Sequence, residues 1–266
     1  MACGPPLVEV LIPTLNEAEN IADAVANALQ LGPVFVLDAC STDGTAGLAK
    51  AAGATVVEHA LVDDASQMNW GLEQPGLTAQ WVFILHADER ITPALRDEML
   101  GKLGRGSEVG YSVNRQLIFM GRAIRHGGFY PSWHLRLFRR GSARYEQRAA
   151  QAHAVCDGPT GLLRAEMLQI RSETMTRQIE RLIYSADLKS DEWAKRRSSQ
   201  SPVAPAEPRL PLRPFWRFCW RYPIRLGFLD GSAGWHLACL TASYECMLAL
   251  LNEEKMGRAE KRGHDR

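Results

Sequence analysis

A mixed α/β fold, its mostly parallel sheet flanked by helices and followed by a C-terminal helical arm, is predicted by three features of this 266-residue chain. Short apolar, β-prone runs alternate with amphipathic stretches up to about residue 105, the alternation that builds right-handed βαβ units. Those runs are unbroken, as strands buried on both faces are. A proline-rich stretch then sets an aromatic, apolar C-terminal segment apart.

Leu7–Pro13 reads as the first strand. Asn16-Glu17-Ala18-Glu19 reads as a capping box, with Asn16 the cap and Glu19 three residues on. Ile21, Val25, Ala28 and Leu29 recur at helical spacing, and Gly32-Pro33 stops that helix. Val34–Leu37 is a second strand ending at Asp38, followed by an Ala-rich helix closed by Gly53, a third strand over Thr55–Val57 and a helix over 64–72. A fourth strand, 81–88, carries His86 and Asp88 to its carboxyl end, where ligands gather in open α/β sheets. Two residues apart on a strand, they point to one side. That spacing suits a divalent cation and a nucleotide. Thr92-Pro93 opens another helix, Glu108–Phe119 alternates like sheet, 143–163 reads as short strands and turns, and Thr174–Trp193 is an amphipathic helix. The expected domains are 1–197, a linker over 198–214 and an arm over 215–266.

Hydrophobic content of 46% and charged content of 23% are ordinary for a globular protein, and a net charge of +1 gives no bulk argument for nucleic acid. Six cysteines without a Cys-x-x-Cys pair, and no signal peptide, read as reduced thiols of a cytoplasmic protein. Gly-x-Gly-x-x-Gly and phosphate-loop motifs are absent. No uncharged apolar run approaches the roughly 20 residues of a membrane span. Phe215–Tyr222, with Arg217 and Arg221 among aromatics, reads as interfacial, and Trp235–Leu251 as a second apolar helix. Both suit peripheral contact with the inner face of the cytoplasmic membrane; the plainer reading is a helix pair packed on the rest of the chain.

Ile12-Pro-Thr-Leu-Asn-Glu-Ala-Glu-Asn-Ile, Val36-Leu-Asp-Ala-Cys-Ser-Thr-Asp-Gly-Thr and Asp88-Glu-Arg-Ile-Thr-Pro resemble family 2 glycosyltransferases of the GT-A type. Gly121-Arg-Ala-Ile-Arg-His-Gly-Gly-Phe-Tyr-Pro, Leu135-Arg-Leu-Phe-Arg-Arg-Gly and Leu226-Gly-Phe-Leu-Asp-Gly resemble a bacterial subgroup that includes lipopolysaccharide core β-1,4-glucosyltransferases. The resemblance implies a GT-A fold and inverting transfer of a sugar from a nucleotide sugar, a UDP-hexose, to a glycan or lipid-linked acceptor, with Mg2+ or Mn2+. A hard cation on a carboxylate neutralises a leaving diphosphate, and inversion needs a general base at the acceptor hydroxyl. Residue by residue, it places Pro13, Thr14, Asn16 and Glu17 on the nucleotide, Asp38 on base or ribose, Asp43 in the same loop, Asn69 on the third helix and Asp88 on the metal.

The chain departs from that pattern at polar positions. His86 stands where the family's metal motif Asp-Ala-Asp-Glu has its first acid; imidazole ligates Mn2+ but suits Mg2+ poorly, so His86 is grouped with the nucleotide ligands. A Val-His-Glu segment aligns with Ala150, Gln151 and Ala152, and a later family histidine with Gln169; a basic residue falls on Met68 and an acid on Ser132. Glutamine and alanine accept no proton near neutral pH. Glu146, His153 and Asp157 are the replacement candidates for the base, Glu146 first because it lies in a matched motif; its plainer reading is an ion pair with Arg144 or Arg148. Arg122, Arg125, His126, Arg136, Arg139 and Arg140, with Trp133 and Phe138 between them, suit the phosphates of a donor or an anionic glycolipid. The rival reading is a degenerate, non-catalytic sugar-nucleotide-binding or scaffold protein on the same fold.

Overall fold

The computed structural model describes residues 7–61, 63–148, 151–171, 174–199 and 212–264. They form two compact units, Met1–Ile118 with Pro131–Arg171, and Phe119–Tyr130 with Ser172–Arg266. The expected linker 198–214 lies largely outside the described residues.

In the first unit the chain runs β1 (Val8–Thr14), α1 (Ile21–Ala28), β2 (Val34–Asp38), α2 (Thr45–Ala51), β3 (Thr55–Glu58), α3 (Asp64–Leu72), β4 (Trp81–Ile84), β5 (Glu89–Ile91), α4 (Pro93–Lys102) and β6 (Gly110–Phe119). After β7 (Arg122–Ala123), which falls within the second unit, come β8 (Trp133–Arg139), β9 (Ala143–Arg148), β10 (Gln151–Cys156) and β11 (Thr160–Arg171). The main sheet is ordered β3-β2-β1-β4-β8-β6-β11-β5. Its first four strands are parallel, and β8 joins β4 antiparallel. This is the mixed α/β sheet flanked by helices that the sequence predicts.

The unbroken apolar runs are explained by the two faces they fill. Val10, Ile12, Val36, Trp81, Phe83 and Leu85 pack on one side with Ile21, Ala24 and Val25 of α1. Leu11, Leu37, Val82 and Ile84 pack on the other with Met68 of α3 and Phe138 of β8. Truncating a residue as enclosed as Phe83, 0% exposed, costs about 3–5 kcal/mol. Gly71 lets α3 close on the sheet: a Cβ there would come within 2.5 Å of Leu37.

Two local readings are corrected. Asn16 does not cap α1; it sits in the left-handed region at φ 55, and the helix begins at Ile21 behind Asn20. The fourth strand ends at Ile84, because the His86 carbonyl accepts from Glu89 N–H at 2.9 Å and turns the chain into β5. The stretch 143–163 holds the short strands expected there, paired as an antiparallel hairpin, β9–β10, that leads into β11.

In the second unit α5 (Met175–Ser199) and α6 (Arg213–Cys219) lie along α7 (Gly231–His264), with a π-helical turn at Trp220–Ile224 and a 3-10 turn at Gly227–Asp230. The charge inside the apolar run of α7 is absorbed by α6: Glu245 is 2.7 Å from Arg217 and 3.6 Å from Arg213. Lys255 meets Asp187 and Asp191, each at 2.7 Å. Among the described residues no helix is long and apolar enough to cross a membrane.

Candidate active site

The parallel strands bring two groups of candidate residues to one edge. Thr14 pairs with Asp38 in the β1–β2 register, and Leu11 with Ile84 in the β1–β4 register. The carboxyl ends of β1, β2 and β4 therefore open on the same side, the edge where ligands bind in such sheets.

At the β1 and β2 ends a continuous network forms. Thr14 Oγ1 donates to Asp38 Oδ1 at 3.1 Å, and Ser41 donates to Asp38 through its backbone N–H at 2.8 Å and its hydroxyl at 2.6 Å. Asp38 is 1% exposed. The left-handed Asn16 donates its N–H to Ser41 Oγ and accepts the Thr42 N–H, both at 2.9 Å. The Glu17 N–H goes to Thr45 Oγ1, and Ala18 N–H to Asp43 Oδ2 at 3.0 Å. Burial opposes ionisation of Asp43, but hydrogen bonds from Thr45 and Ala18 outweigh it and hold the carboxyl below its usual range. Thr14, Asn16, Glu17, Asp38 and Asp43 thus belong to one hydrogen-bonded corner, with Pro13 beside it on β1. Ser41 and Thr45, which complete it, have a sequence signal only as the small hydroxyls of the loop motif.

At the β4 end, ligand atoms of His86, Asp88 and Glu89 lie within 4.8 Å of one another. Glu89 is sealed: Arg136 Nη2 reaches its Oε1 at 2.7 Å, Arg115 stands 3.6 Å away, and Oε2 accepts the His86 N–H at 2.9 Å. Burial works against the Glu89 carboxylate, yet Arg136, then His86, outweigh it and bring its pKa to about 2. Arg136 Nη1 is 2.9 Å from His86 Nε2. A guanidinium only donates, so that nitrogen is the acceptor and the ring is neutral. Burial first, then Arg136, push its pKa to about 4 against the pull of Glu89 and Asp88. Asp88 Oδ2 accepts from Gln169 Nε2 at 2.7 Å, which the β5–β11 register sets beside it.

This donor set does not fit a divalent cation. The imidazole lone pair is spent, Glu89 is saturated and Gln169 donates to Asp88, leaving Asp88 Oδ1 as the one carboxylate oxygen of the trio without a hydrogen bond among the described residues. A dication on His86 would sit about 4 Å from the guanidinium, where repulsion is on the order of 8 kcal/mol at an effective dielectric of about 20.

The other candidates lie on the β9–β10 hairpin and its support. Asn69 accepts the Tyr145 N–H at 2.8 Å and donates to the Tyr145 carbonyl at 2.9 Å, so its amide acts as a one-residue strand partner for β9. Glu146 and His153 are directly opposed across the hairpin. Glu146 pairs with Arg144 at 3.1 Å, and Arg144 with Asp157 at 2.7 Å. By the two-residue period of a strand, Tyr145 and Ala152 take the face opposite to Glu146 and His153. Tyr145 packs on the core there, its phenol pushed to about 12 by burial, with Glu89 adding and Arg136 opposing. The Gln151 side chain and Ala150 lie outside the described residues.

The arginine stretch is divided between the two units. Arg136 is 5% exposed at the β4 edge, Arg139 lies over the Trp81 ring at 5.2 Å, and His126 pairs with Asp230 at 2.9 Å within the second unit. A cavity of about 410 Å3 lined by Asn69, Leu72, Glu73, Phe138, Arg140 and Arg144 touches only Asn69 of the expected nucleotide residues.

Residues 9–169, which contain every one of these candidates, match the glycosyl transferase family 2 model. The chain belongs to this family. Family 2 transferases move sugars from nucleotide sugars, and the chain is a glycosyltransferase. Over 240 residues it is 28% identical to the lipopolysaccharide core biosynthesis glycosyltransferase LpsC of Rhizobium meliloti (strain 1021), covering 86% of this chain and 88% of LpsC. It is 36% identical over 104 residues to the glycosyltransferase AglJ of Haloferax volcanii, covering 38% of this chain and 34% of AglJ. Of solved structures, S. aureus TarS 1-349 is similar with a TM-score of 0.46 and 12% identity, covering 94% of this chain and 91% of TarS 1-349.

Proposed function

We propose that this family 2 glycosyltransferase takes its sugar from a UDP-hexose, inverts configuration at the transferred carbon and glycosylates a glycan or lipid-linked acceptor at the cell envelope. The observation that carries the reading is the meeting of the Thr14–Asp38–Asp43 corner and the His86–Glu89 turn at one carboxyl edge. A corner this tightly hydrogen-bonded is preorganised, so little is lost in ordering it around a nucleotide. The similarity to LpsC, named for lipopolysaccharide core biosynthesis, supports a glycolipid acceptor.

In the transfer, the bond from the anomeric carbon to the diphosphate oxygen breaks and its electrons leave with the diphosphate. The acceptor oxygen bonds from the opposite face, and its proton passes to a base. Membrane contact falls to the second unit. There Phe215, Trp216, Trp220, Ile224 and Phe228 are exposed with Arg122, Arg125 and Arg225, and Asp230, the single acid between residues 212 and 231, is spent on His126.

Incubation with UDP-glucose, UDP-galactose and their GDP counterparts, with truncated lipopolysaccharide as acceptor, tests this. One uridine donor supports transfer, and the new linkage is of the opposite anomeric form to the donor. Turnover only with a guanosine donor, or retention of configuration, overturns the reading.

A further inference from the structure

The misfit between the β4 edge and a divalent cation carries a further conclusion, which rests on the nucleotide-sugar reading above. We propose that the donor diphosphate is bound here by guanidinium charge, with Arg115 as its direct partner and Arg136 in the place a cation would take, so that nucleotide binding does not require a divalent metal. Three observations converge. His86, where an acid would give the metal its first ligand, instead hands its lone pair to Arg136 at 2.9 Å. Gln169 covers the second oxygen of Asp88 at 2.7 Å. The Glu89 carboxylate already faces two guanidinium groups, Arg136 at 2.7 Å and Arg115 at 3.6 Å, so nothing there calls for two more positive charges.

The guanidinium groups also have donors left. Arg136 is 5% exposed, and among the described residues its buried Nε has no hydrogen-bond partner. Among the described residues Arg115, its side chain 23% exposed, reaches Glu89 at 3.6 Å. A planar fork that keeps N–H groups free matches phosphate oxygens two at a time. Fixed by Glu89 in this way, the pair also stabilises the negative charge that gathers on the diphosphate as the glycosidic bond breaks.

Calorimetric titration with UDP, in EDTA and in Mn2+, decides the matter. The wild-type affinity differs by less than about threefold between the two conditions, and Arg115→Met weakens it by at least about tenfold in both while Arg115→Lys recovers part of the loss. His86→Asp makes binding Mn2+-dependent by about tenfold. Wild-type binding that collapses in EDTA, or Arg115→Met binding as wild type, overturns the proposal. If UDP binds under neither condition, the nucleotide-sugar reading fails first. Electron paramagnetic resonance of Mn2+ with the protein alone then tests the metal claim by itself: a stoichiometric wild-type site lost in Asp88→Ala overturns it, and no site upholds it.

Discussion

Glu89 is where charge, burial and geometry are most tightly coupled. It is 0% exposed and ionised because Arg136 and the His86 N–H complete it. Its depressed pKa means that it contributes stability above the unfolded carboxyl value of about 4.3, which is lost as pH falls toward 2. Removing one partner strands the other, so Arg136→Met is expected to lower unfolding free energy by about 3–5 kcal/mol in urea denaturation. His134 gives a pH signature. Burial first, then Arg115 and Arg136, push its imidazolium to about 3, while its Nε2 lies 2.9 Å from Ser132 Oγ. Below about pH 6.5 the unfolded chain takes up a proton that the native state refuses until about 3, so stability falls with pH across that window. His134→Gln should flatten the stability profile there by up to about 1.4 kcal/mol per pH unit. At this scale the sequence flagged His86, Asp88 and Gln169 as positions of interest. It could not show that Arg136, 50 residues from His86 and 47 from Glu89, would close on both; a pairing across strands leaves no local periodicity to read.

Two helices hold strands of the site by the same device. Asn69 of α3 pairs with both backbone groups of Tyr145, and Asn27 of α1 accepts the Ile91 N–H at 2.7 Å and donates to its carbonyl at 3.1 Å. An asparagine amide carries a donor and an acceptor side by side, which is what an edge residue of a strand presents. Asn69→Ala is therefore expected to destabilise the protein by about 1–3 kcal/mol and speed amide exchange at Tyr145, while exchange in β1 and β4 stays unchanged. Exchange rising everywhere would show that the amide is no local clamp. Elements from β1 to α3 were legible because their hydrophobic periods are clean and their stops are glycines and prolines. At β9–β10 the short strands were legible but not their bounds or pairing, because Arg, Gln and Ala on both faces mask the alternation. Nor was the end of β4 at Ile84, since Leu85 continues the apolar run and only the turn at His86 breaks the strand.

For the whole molecule, the proposed function assigns the transfer chemistry to the first unit and membrane contact to the second, which carries the exposed aromatics and arginines. The second unit is expected to bring the protein down with vesicles containing anionic lipid, and Phe215→Ser with Trp216→Ser to release it without lowering UDP affinity. Co-sedimentation equal on neutral and anionic vesicles would contradict the role of the arginines. The central claim is that the carboxyl edge of β1, β2 and β4 is the nucleotide-sugar site. Hydrogen-exchange mass spectrometry with and without UDP tests it most directly. Protection confined to the segments of Thr14–Glu17, Asp38–Thr45 and His86–Glu89 is the predicted result. Protection that bypasses them and falls on the cavity at Leu72, Glu73 and Arg140 would contradict it.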